Sequence, residues 1–508
     1  MQLPLHIVPT SPGSLRQQLV DQMRHMILDG LLAPGSKVPS TRTLSLQLSV
    51  ARNTVVRAYE KLIGEGYLEA RSAAATFVCR DLPSRCTEVA HMTTEADRAR
   101  NIPLRAPVDL SDMRLGLFNP PTERLSHDFR IGRPDATLFP KAAWQRLVVA
   151  CLGASQRALT DYGDPAGLWP LRIAVVGHLR HARGIRTRPD EVIIVAGSQE
   201  GLNLVGRLLN VADATVATED PCYQGAAFAM KSLGAKIFPV PVDSEGFDVA
   251  ALGRQGAKLA YVTPSHQFPL GFTMSVGRRA QLLEWAQRTG AYILEDDYDS
   301  DFRYQSSPLP ALKGLDRHDR VIYLGTFSKS IGPGLRLGYV VVPEHLAETA
   351  RSLKALMNNG HPWLDQAVVC EFVASGAFQN HLVRIRKQYM LRRDRLMHEL
   401  EALLGPLRFE GVDGGMHLTC HLPDDLPPAF DLQQRLKRVG VGIYSLAEAP
   451  VTRHARFAGD DHVALFGYPC LPEAEICEAI SRLGRALAAG ASPRTVAHTR
   501  ELTRAARI

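Results

Sequence analysis

From about residue 126 onward, short apolar runs alternate with longer amphipathic ones, and this alternation constrains the fold more than any other feature of the chain. EVIIVAG (191–197), ATVATED (214–220), KLAYVTP (258–264), AYILEDD (291–297) and RVIYLGT (320–326) read as buried strands. Helical stretches such as RRAQLLEWAQRTG (278–290) lie between them. A strand can return parallel to its predecessor only through a crossover, usually a helix, so the pattern implies a mostly parallel sheet covered on both faces. After about residue 345 come long helical runs and then a smaller α+β portion, with strands expected in MHLTCHLP (416–423) and HVALFGYP (462–469).

A different pattern precedes this α/β region. Leu15, Leu19, Met23, Met26 and Ile27 recur at helical spacing, so 14–29 reads as an amphipathic helix. GLLAPGSKVPS (30–40) supplies turn residues, and Ser40 is placed to cap a short helix carrying Leu44 and Leu48. In SVARNTVVRAYEKLIGEGYL (49–68), Val55, Val56, Tyr59, Leu62 and Ile63 share one face. YLEA (67–70) and TFVC (76–79) then read as two strands joined by RSAAA. Three helices and a hairpin are the layout of a winged helix-turn-helix. Residues 81–125 lose the periodicity and read as a linker, with LSDMRLGLF (110–118) as a short docking segment. The stretch 491–508 is a polar, basic tail. The division expected is thus a DNA-binding unit over 1–80, a linker over 81–125, an α/β domain over 126–490 and the tail.

Composition excludes some classes. Hydrophobic content of 45% with 22% charged residues suits a packed globular chain and not a disordered one. No apolar run approaches the roughly 20 residues that cross a bilayer. MQLPLHIVPTSPG lacks a basic segment before an apolar one, so a cytoplasmic location is expected. Eight cysteines are scattered without C-x-x-C spacing, which predicts reduced thiols and no metal site. A net charge of +7 is compatible with a polyanionic partner, and residues 1–80 hold nine Lys/Arg against five Asp/Glu.

The run PSTRTLSLQLSVARNTVVRAYEKLIGEGYLEAR (39–71) with the closing TFV resembles the GntR-type winged helix. A recognition helix presents its first residues to base edges and phosphates. Arg52, Asn53 and Thr54 occupy that position, and Arg42, with Thr41, starts the preceding helix where it meets the backbone of double-stranded operator DNA. Ala73 and Ala75 stand where the family has two glycines, so a reshaped wing is expected.

Pyridoxal phosphate chemistry needs a lysine amine, a carboxylate for the pyridine nitrogen, and donors with a positive charge for the phosphate. YLGTFSKSIGPGLRLG (323–338) places Lys329 just past a strand end and Arg336 seven residues on. AYILEDDYDSDF ends another strand in carboxylates, at the sheet edge where α/β ligands bind. GSQEGLN (197–203) enters a helix whose N-terminal amides suit an anion. Asp297, Asp299 and Asp301 imitate a calcium loop, but Phe302 and Pro308 stand where that loop requires Gly and Glu, so calcium is rejected.

TPSHQFPLG, EDDYDSDFRY and GTFSKSIGPGLRLG are similar to the wording of the MocR/GabR subfamily, in which a GntR-type winged helix precedes a fold-type I aminotransferase-like domain. The resemblance implies pyridoxal 5'-phosphate as cofactor, with Lys329 forming the internal aldimine. It implies Asp296 on the pyridine nitrogen and Tyr298 on the phenolic oxygen. Ser198, Gln199, Thr326 and Arg336 would hold the phosphate, and Tyr223 would lie against the ring. Tyr162, in DYGDPAGLWPLR, would cross a homodimer interface to a second copy's phosphate.

Two arginines that aminotransferases and GabR-like regulators use for a substrate carboxylate are replaced here, one by Leu465 or a neighbour, the other by Gly225. Arg303, Arg453 and Arg456 are candidate substitutes. Phe268 stands where aminotransferases place an asparagine on the phenolic oxygen. The expectation is a regulator and not an enzyme: an amine effector, or the cofactor itself, alters operator binding. The alternative is a working aminotransferase with an accessory DNA-binding module.

Overall fold

The computed structural model describes residues 3–5, 7, 14–72, 75–82, 125–154, 157–253, 255–304, 310–447, 451–452 and 460–490. The chain divides into two compact units, Met1–Pro107 and Val108–Ile508.

The first unit contains α1 (Leu15–Leu28), α2 (Thr41–Leu48), α3 (Arg52–Gly64) and a hairpin of β1 (Leu68–Ser72) and β2 (Ala75–Val78). Ser14 and Ser40 cap the first two helices, accepting from the amides of Gln17 at 3.2 Å and Thr43 at 3.1 Å. Leu19, Met23, Leu44, Val55, Leu62 and Val78 build its core. The buried face of α3 is narrower than its sequence suggests: Val55, Tyr59 and Leu62 are buried, while Val56 is half-buried and Ile63 is exposed. The hairpin strands run further into RSAAA than expected, because β1 reaches Ser72 and β2 starts at Ala75. Ala73 lies outside the described residues.

The second unit is organised by one sheet. Its strands are β3 (Val192–Val195), β4 (Thr215–Asp220), β5 (Lys236–Asp243), β6 (Gly246–Phe247), β7 (Leu259–Val262), β8 (Tyr292–Asp297), β9 (Val321–Thr326) and β10 (Gly338–Val341). The order is β3-β10-β9-β8-β7-β4-β5-β6. The central pairs are parallel, whereas β10 runs antiparallel to both neighbours and β6 antiparallel to β5. Successive side chains face opposite layers: Val192 and Ile194 pack with Leu171, Val175 and Leu179, while Ile193 and Val195 pack with Leu202 and Val205. Burial on both faces explains the continuous apolar runs read in the sequence.

The smaller portion carries an antiparallel sheet, β11 (Arg408–Glu410), β12 (His417–His421), β13 (Tyr444–Ser445) and β14 (Val463–Gly467), in the order β11-β12-β14-β13. Among the described residues no helix is long and apolar enough to cross a membrane.

Candidate functional site

The C-terminal ends of β7, β8 and β9 open on a cavity of about 520 Å³. Parallel strands bring their ends to one edge, so residues far apart in sequence meet there. Lys329, Asp296, Tyr298, Tyr223, Thr326 and Arg336 all line it, as do Ser198 and Gln199. Eight of the nine cofactor residues expected from the sequence therefore converge. Tyr162 is the ninth: it is 92% exposed and outside this cavity.

Lys329 Nζ donates to the carbonyl of Gly132 at 2.8 Å. A Cβ at Gly132 would lie 2.7 Å from that nitrogen and displace it, and the residue's φ of +71° favours glycine. Burial lowers the Lys329 amine below the ordinary lysine range, opposed by the carboxylates of Asp299 and Asp296.

Asp296 ends β8. Tyr261, on β7, donates its hydroxyl to Asp296 Oδ2 at 2.8 Å, while Oδ1 is buried with no partner. Burial raises this carboxyl from 3.8 to about 7, against the Tyr261 hydrogen bond that lowers it. An unpartnered buried carboxylate oxygen is costly and calls for a cationic or N–H donor. A protonated pyridine nitrogen is such a donor, so the site fits the cofactor.

The phosphate side also fits. Gly197 (φ +78°) precedes the helix Ser198–Leu208, and a Cβ there would lie 2.9 Å from Arg336 Nη2. Arg336 is itself left-handed, with φ of +51°, and donates to the Ala196 carbonyl at 2.7 Å. The Thr326 hydroxyl donates to Ser328 Oγ at 2.9 Å and accepts from the Ser328 amide at 3.1 Å. Helix amides, hydroxyls and a guanidinium together form an anion cup.

Gln199 Nε2 donates to the Tyr223 hydroxyl at 3.2 Å. Any side chain at Gly225 would collide with Gln199 Nε2 and the Tyr223 ring, so this backbone leaves no room for an arginine. Phe268 lies edge-on to Tyr223 and Tyr298, at 5.8 and 6.0 Å between ring centroids. Tyr298 has its hydroxyl engaged with His266, donating to the His266 carbonyl at 3.0 Å and lying 3.1 Å from Nδ1. Leu465 is buried on β14 with Leu270, Leu446 and Val463, an apolar group that reaches Ile131 and Phe268. Arg303 lines a separate cavity of about 880 Å³. Arg453 and Arg456 lie outside the described residues.

The calcium-like carboxylates are each taken by a different base. Arg183 pairs with Asp297 at 2.7 Å, His266 with Asp299 at 2.9 Å and His178 with Asp301 at 3.5 Å. His266, Asp299 and His417 have donor atoms within 4.8 Å of one another. His266 Nδ1 meets Asp299 Oδ2 and His417 Nε2 donates to the Pro269 carbonyl at 2.9 Å, while His266 Nε2 and His417 Nδ1 are buried with no hydrogen-bond partner among the described residues.

Sequence reasoning missed Tyr261, Arg130, Arg133 and Ser328, all of which line the cavity. Tyr261 stood in the strand KLAYVTP, and its inward face was the available signal. Arg130 and Arg133 sit in an irregular segment, for which periodicity offers nothing.

In the first unit, Arg52 and Asn53 are exposed at the start of α3, Thr54 is half-buried, Arg42 is exposed and Thr41 half-buried at the start of α2. The α3 cap, Ala51, has no side-chain hydrogen bond. Neither Arg42 nor Arg52 has an ion-pair partner among the described residues.

Comparison with known proteins follows the same division. The family "Bacterial regulatory proteins, gntR family" matches residues 15–78, and "Aminotransferase class I and II" matches 134–456. The chain is 33% identical over 482 residues to the probable rhizopine catabolism regulatory protein MocR of Rhizobium meliloti, covering 94% of each chain. It is 34% identical over 427 residues to the pyridoxine biosynthesis transcriptional regulator PdxR of Corynebacterium glutamicum, covering 84% of this chain and 87% of that one. Among solved structures, the α-aminoadipate aminotransferase LysN of Thermus thermophilus superposes with a TM-score of 0.63 at 31% identity, over 71% of this chain and 91% of LysN. The winged-helix domain implies DNA binding, and the aminotransferase domain implies pyridoxal 5'-phosphate binding. With both domains matched in this order, the chain belongs to the MocR-type bacterial regulators, in which a gntR-family helix-turn-helix domain precedes a class I and II aminotransferase domain.

Proposed function

We propose that this protein is a pyridoxal-phosphate-dependent transcription regulator, with residues 1–80 as operator reader and 126–490 as the sensor. The reading rests on one observation above others: the unpartnered Asp296 Oδ1 shares a cavity with Lys329 and the Arg336 anion cup, in a chain that also carries a winged helix.

When bound, pyridoxal 5'-phosphate supplies an aldehyde that condenses with amines. Lys329 offers an amine made more nucleophilic by burial, which favours its neutral form. Asp296 would hold the proton on the ring nitrogen. Ser198, Gln199, Thr326 and Arg336 would hold the phosphate, and Tyr223 would position the ring, with its hydroxyl already tied to Gln199. Tyr298 would serve the phenolic oxygen only by sharing the hydroxyl now engaged with His266.

Arg52, Asn53 and Thr54 would read bases and Thr41 and Arg42 phosphates. The protein acts as a homodimer, with exposed Tyr162 offered to a second copy. An amine effector, or the cofactor itself, would displace Lys329 or fill the cavity and so favour one arrangement of the two DNA-binding units over another. The location is cytoplasmic, and regulation rather than turnover is its role, a reading supported by the expectation that Gly225, and Leu465 or a neighbour, stand at the usual carboxylate anchors.

The test is an operator titration over the protein's own upstream region, with and without pyridoxal phosphate and with Lys329→Ala. A change in affinity or footprint on adding cofactor, abolished in the variant, is the expected result. Operator binding and transcription indifferent to both would overturn it.

A further inference from the structure

One buried histidine beside the cavity uses a single side of its ring. His266 Nδ1 lies 2.9 Å from Asp299 Oδ2, and both residues are buried. A carboxylate accepts and does not donate, so Nδ1 carries a hydrogen. Nε2 is buried with no hydrogen-bond partner among the described residues. It lies against backbone: a Cβ at Gly411 would come within 2.7 Å of it, and one at Gly415 would collide with the ring's Nδ1 edge. A plain aromatic ring would fill this space without an orphaned nitrogen, which is costly when buried. What histidine adds here is Nδ1.

That nitrogen and the carbonyl of the same residue both face Tyr298. The Tyr298 hydroxyl donates to the His266 carbonyl at 3.0 Å and lies 3.1 Å from Nδ1. One residue thus grips one hydroxyl twice, at its proton and at its oxygen. The charged groups bearing on the hydroxyl are Asp299, Asp296 and Asp297 from β8 and the segment after it, and Glu219 from β4. Burial, with these carboxylates, pushes the hydroxyl well above the ordinary tyrosine range, so it stays a donor. Lys329 faces Asp299 and Asp296. His417 of β12, whose ring lies 4.6 Å from that of His266, has its Nε2 engaged with the Pro269 carbonyl.

Tyr298 and Phe268 both line the cavity, edge-on to each other at 6.0 Å. Phe268 has no donor to share the work expected of Tyr298. The strength of that one hydroxyl as a donor therefore matters more than in a site that also carries an asparagine.

We propose that His266 is a positioning residue that sets how strongly Tyr298 donates to the cofactor's phenolic oxygen. Its carbonyl competes for the hydroxyl proton, and its Nδ1, oriented by Asp299, polarises the hydroxyl oxygen. Hydrogen bonds in such a chain strengthen one another. The proposal rests on the sensor reading above, since it needs the cofactor to bind, and it names what tunes that site.

The test uses the full chain loaded with pyridoxal phosphate, its absorbance recorded against pH. Donation to the phenolic oxygen favours the anionic form, so a weaker donor moves the pH midpoint of the bound cofactor's absorbance upward. His266→Phe, which lacks Nδ1, should raise the midpoint by roughly half a pH unit or more. Where the bulkier ring is not accommodated beside Gly411 and Gly415, His266→Leu takes its place in the same comparison. His266→Asn, whose amide N–H can stand near Nδ1, should return part of the shift. In a Tyr298→Phe background the His266 change should add nothing, because the hydroxyl it acts through is gone. A midpoint that stays or falls without Nδ1, or a shift of equal size with and without the Tyr298 hydroxyl, overturns the proposal. Failure of the sensor reading looks different: the wild-type protein then gives no cofactor absorbance on addition of pyridoxal phosphate, and both readings fall together.

Discussion

Tyr261 and Asp296, one strand apart, share a single hydrogen bond of 2.8 Å that uses only one of the two carboxylate oxygens. The other oxygen is buried and unpartnered. This half-satisfied carboxylate marks where a donor from outside the chain completes the site. Tyr261→Phe removes the hydrogen-bond partner that Asp296 has among the described residues and should weaken pyridoxal phosphate binding by roughly tenfold or more, as hydrogen bonds to charged groups are worth about 1.5–3 kcal/mol. Absorbance titration of the cofactor checks this. Unchanged affinity would show that the hydroxyl does not support the carboxylate.

The same carboxyl should leave a pH signature in the cofactor-free protein. Burial raises Asp296 from 3.8 and Glu219 from 4.5, each to about 7. The unfolded chain ionises these groups first, so their contribution to stability is full below about pH 4 and is lost as pH rises through about 7. The thermal midpoint of the cofactor-free protein is expected to fall over that interval. Asp296→Asn, which cannot ionise, should flatten part of the slope, and a slope unaltered by the variant would assign it elsewhere.

Gly225 stands where the resemblance to GabR-like regulators places an arginine, and Gln199 and the Tyr223 ring pack close against it. Gly225→Arg should drive Tyr223 and Gln199 from their places, because any Cβ there collides with both. The variant is expected to bind cofactor more weakly and to gain no affinity for amino acids. Tighter amino-acid binding with normal cofactor affinity would count against this packing argument.

Arg52 and Arg42 separate two kinds of DNA contact. Arg52→Ala should cost about 1–3 kcal/mol on the cognate operator and relax discrimination at one base position. Arg42→Ala should weaken binding to all sequences alike and lower the salt dependence by about one counterion. Gel-shift titrations across salt concentrations and single-base operator variants distinguish them; identical profiles for the two variants would refute the division.

Gly197 allows Arg336 to lie across the start of the helix at Ser198. Gly197→Ala brings a Cβ to 2.9 Å from Arg336 Nη2 at a φ of +78°. Strain of about 1 kcal/mol or more is expected from the backbone alone. Phosphate-dependent affinity should fall, so pyridoxal phosphate should lose more affinity than pyridoxal, read by parallel absorbance titrations. Equal losses for both would place the damage outside the phosphate cup.

Much of the site was legible because its residues sit in strand-end motifs. Lys329 and Asp296 lie at the ends of apolar runs long enough to be read as strands, and parallel pairing then brings those ends together. The antiparallel β10 was not legible, since GYVV carries no mark of direction and its place between β3 and β9 is a long-range pairing. Nor was β5 readily seen as a strand: KIFPVPVD contains two prolines, which cannot donate to the ladder.

The sequence by itself determined the two-domain order and the fold class, and it supplied the expectation that Lys329 and Asp296 share a site and that Gly225, and Leu465 or a neighbour, replace the usual anchors. Those properties reside in local runs and in residue chemistry. Only the tertiary structure decided which oxygen of Asp296 is left free, that Tyr261 is the group supporting it, and that the Gly132 carbonyl accepts from Lys329. Each of these depends on contacts between segments 35 to 197 residues apart. Such contacts are set by sheet order and by the docking of the smaller portion, neither of which any single stretch of the chain encodes.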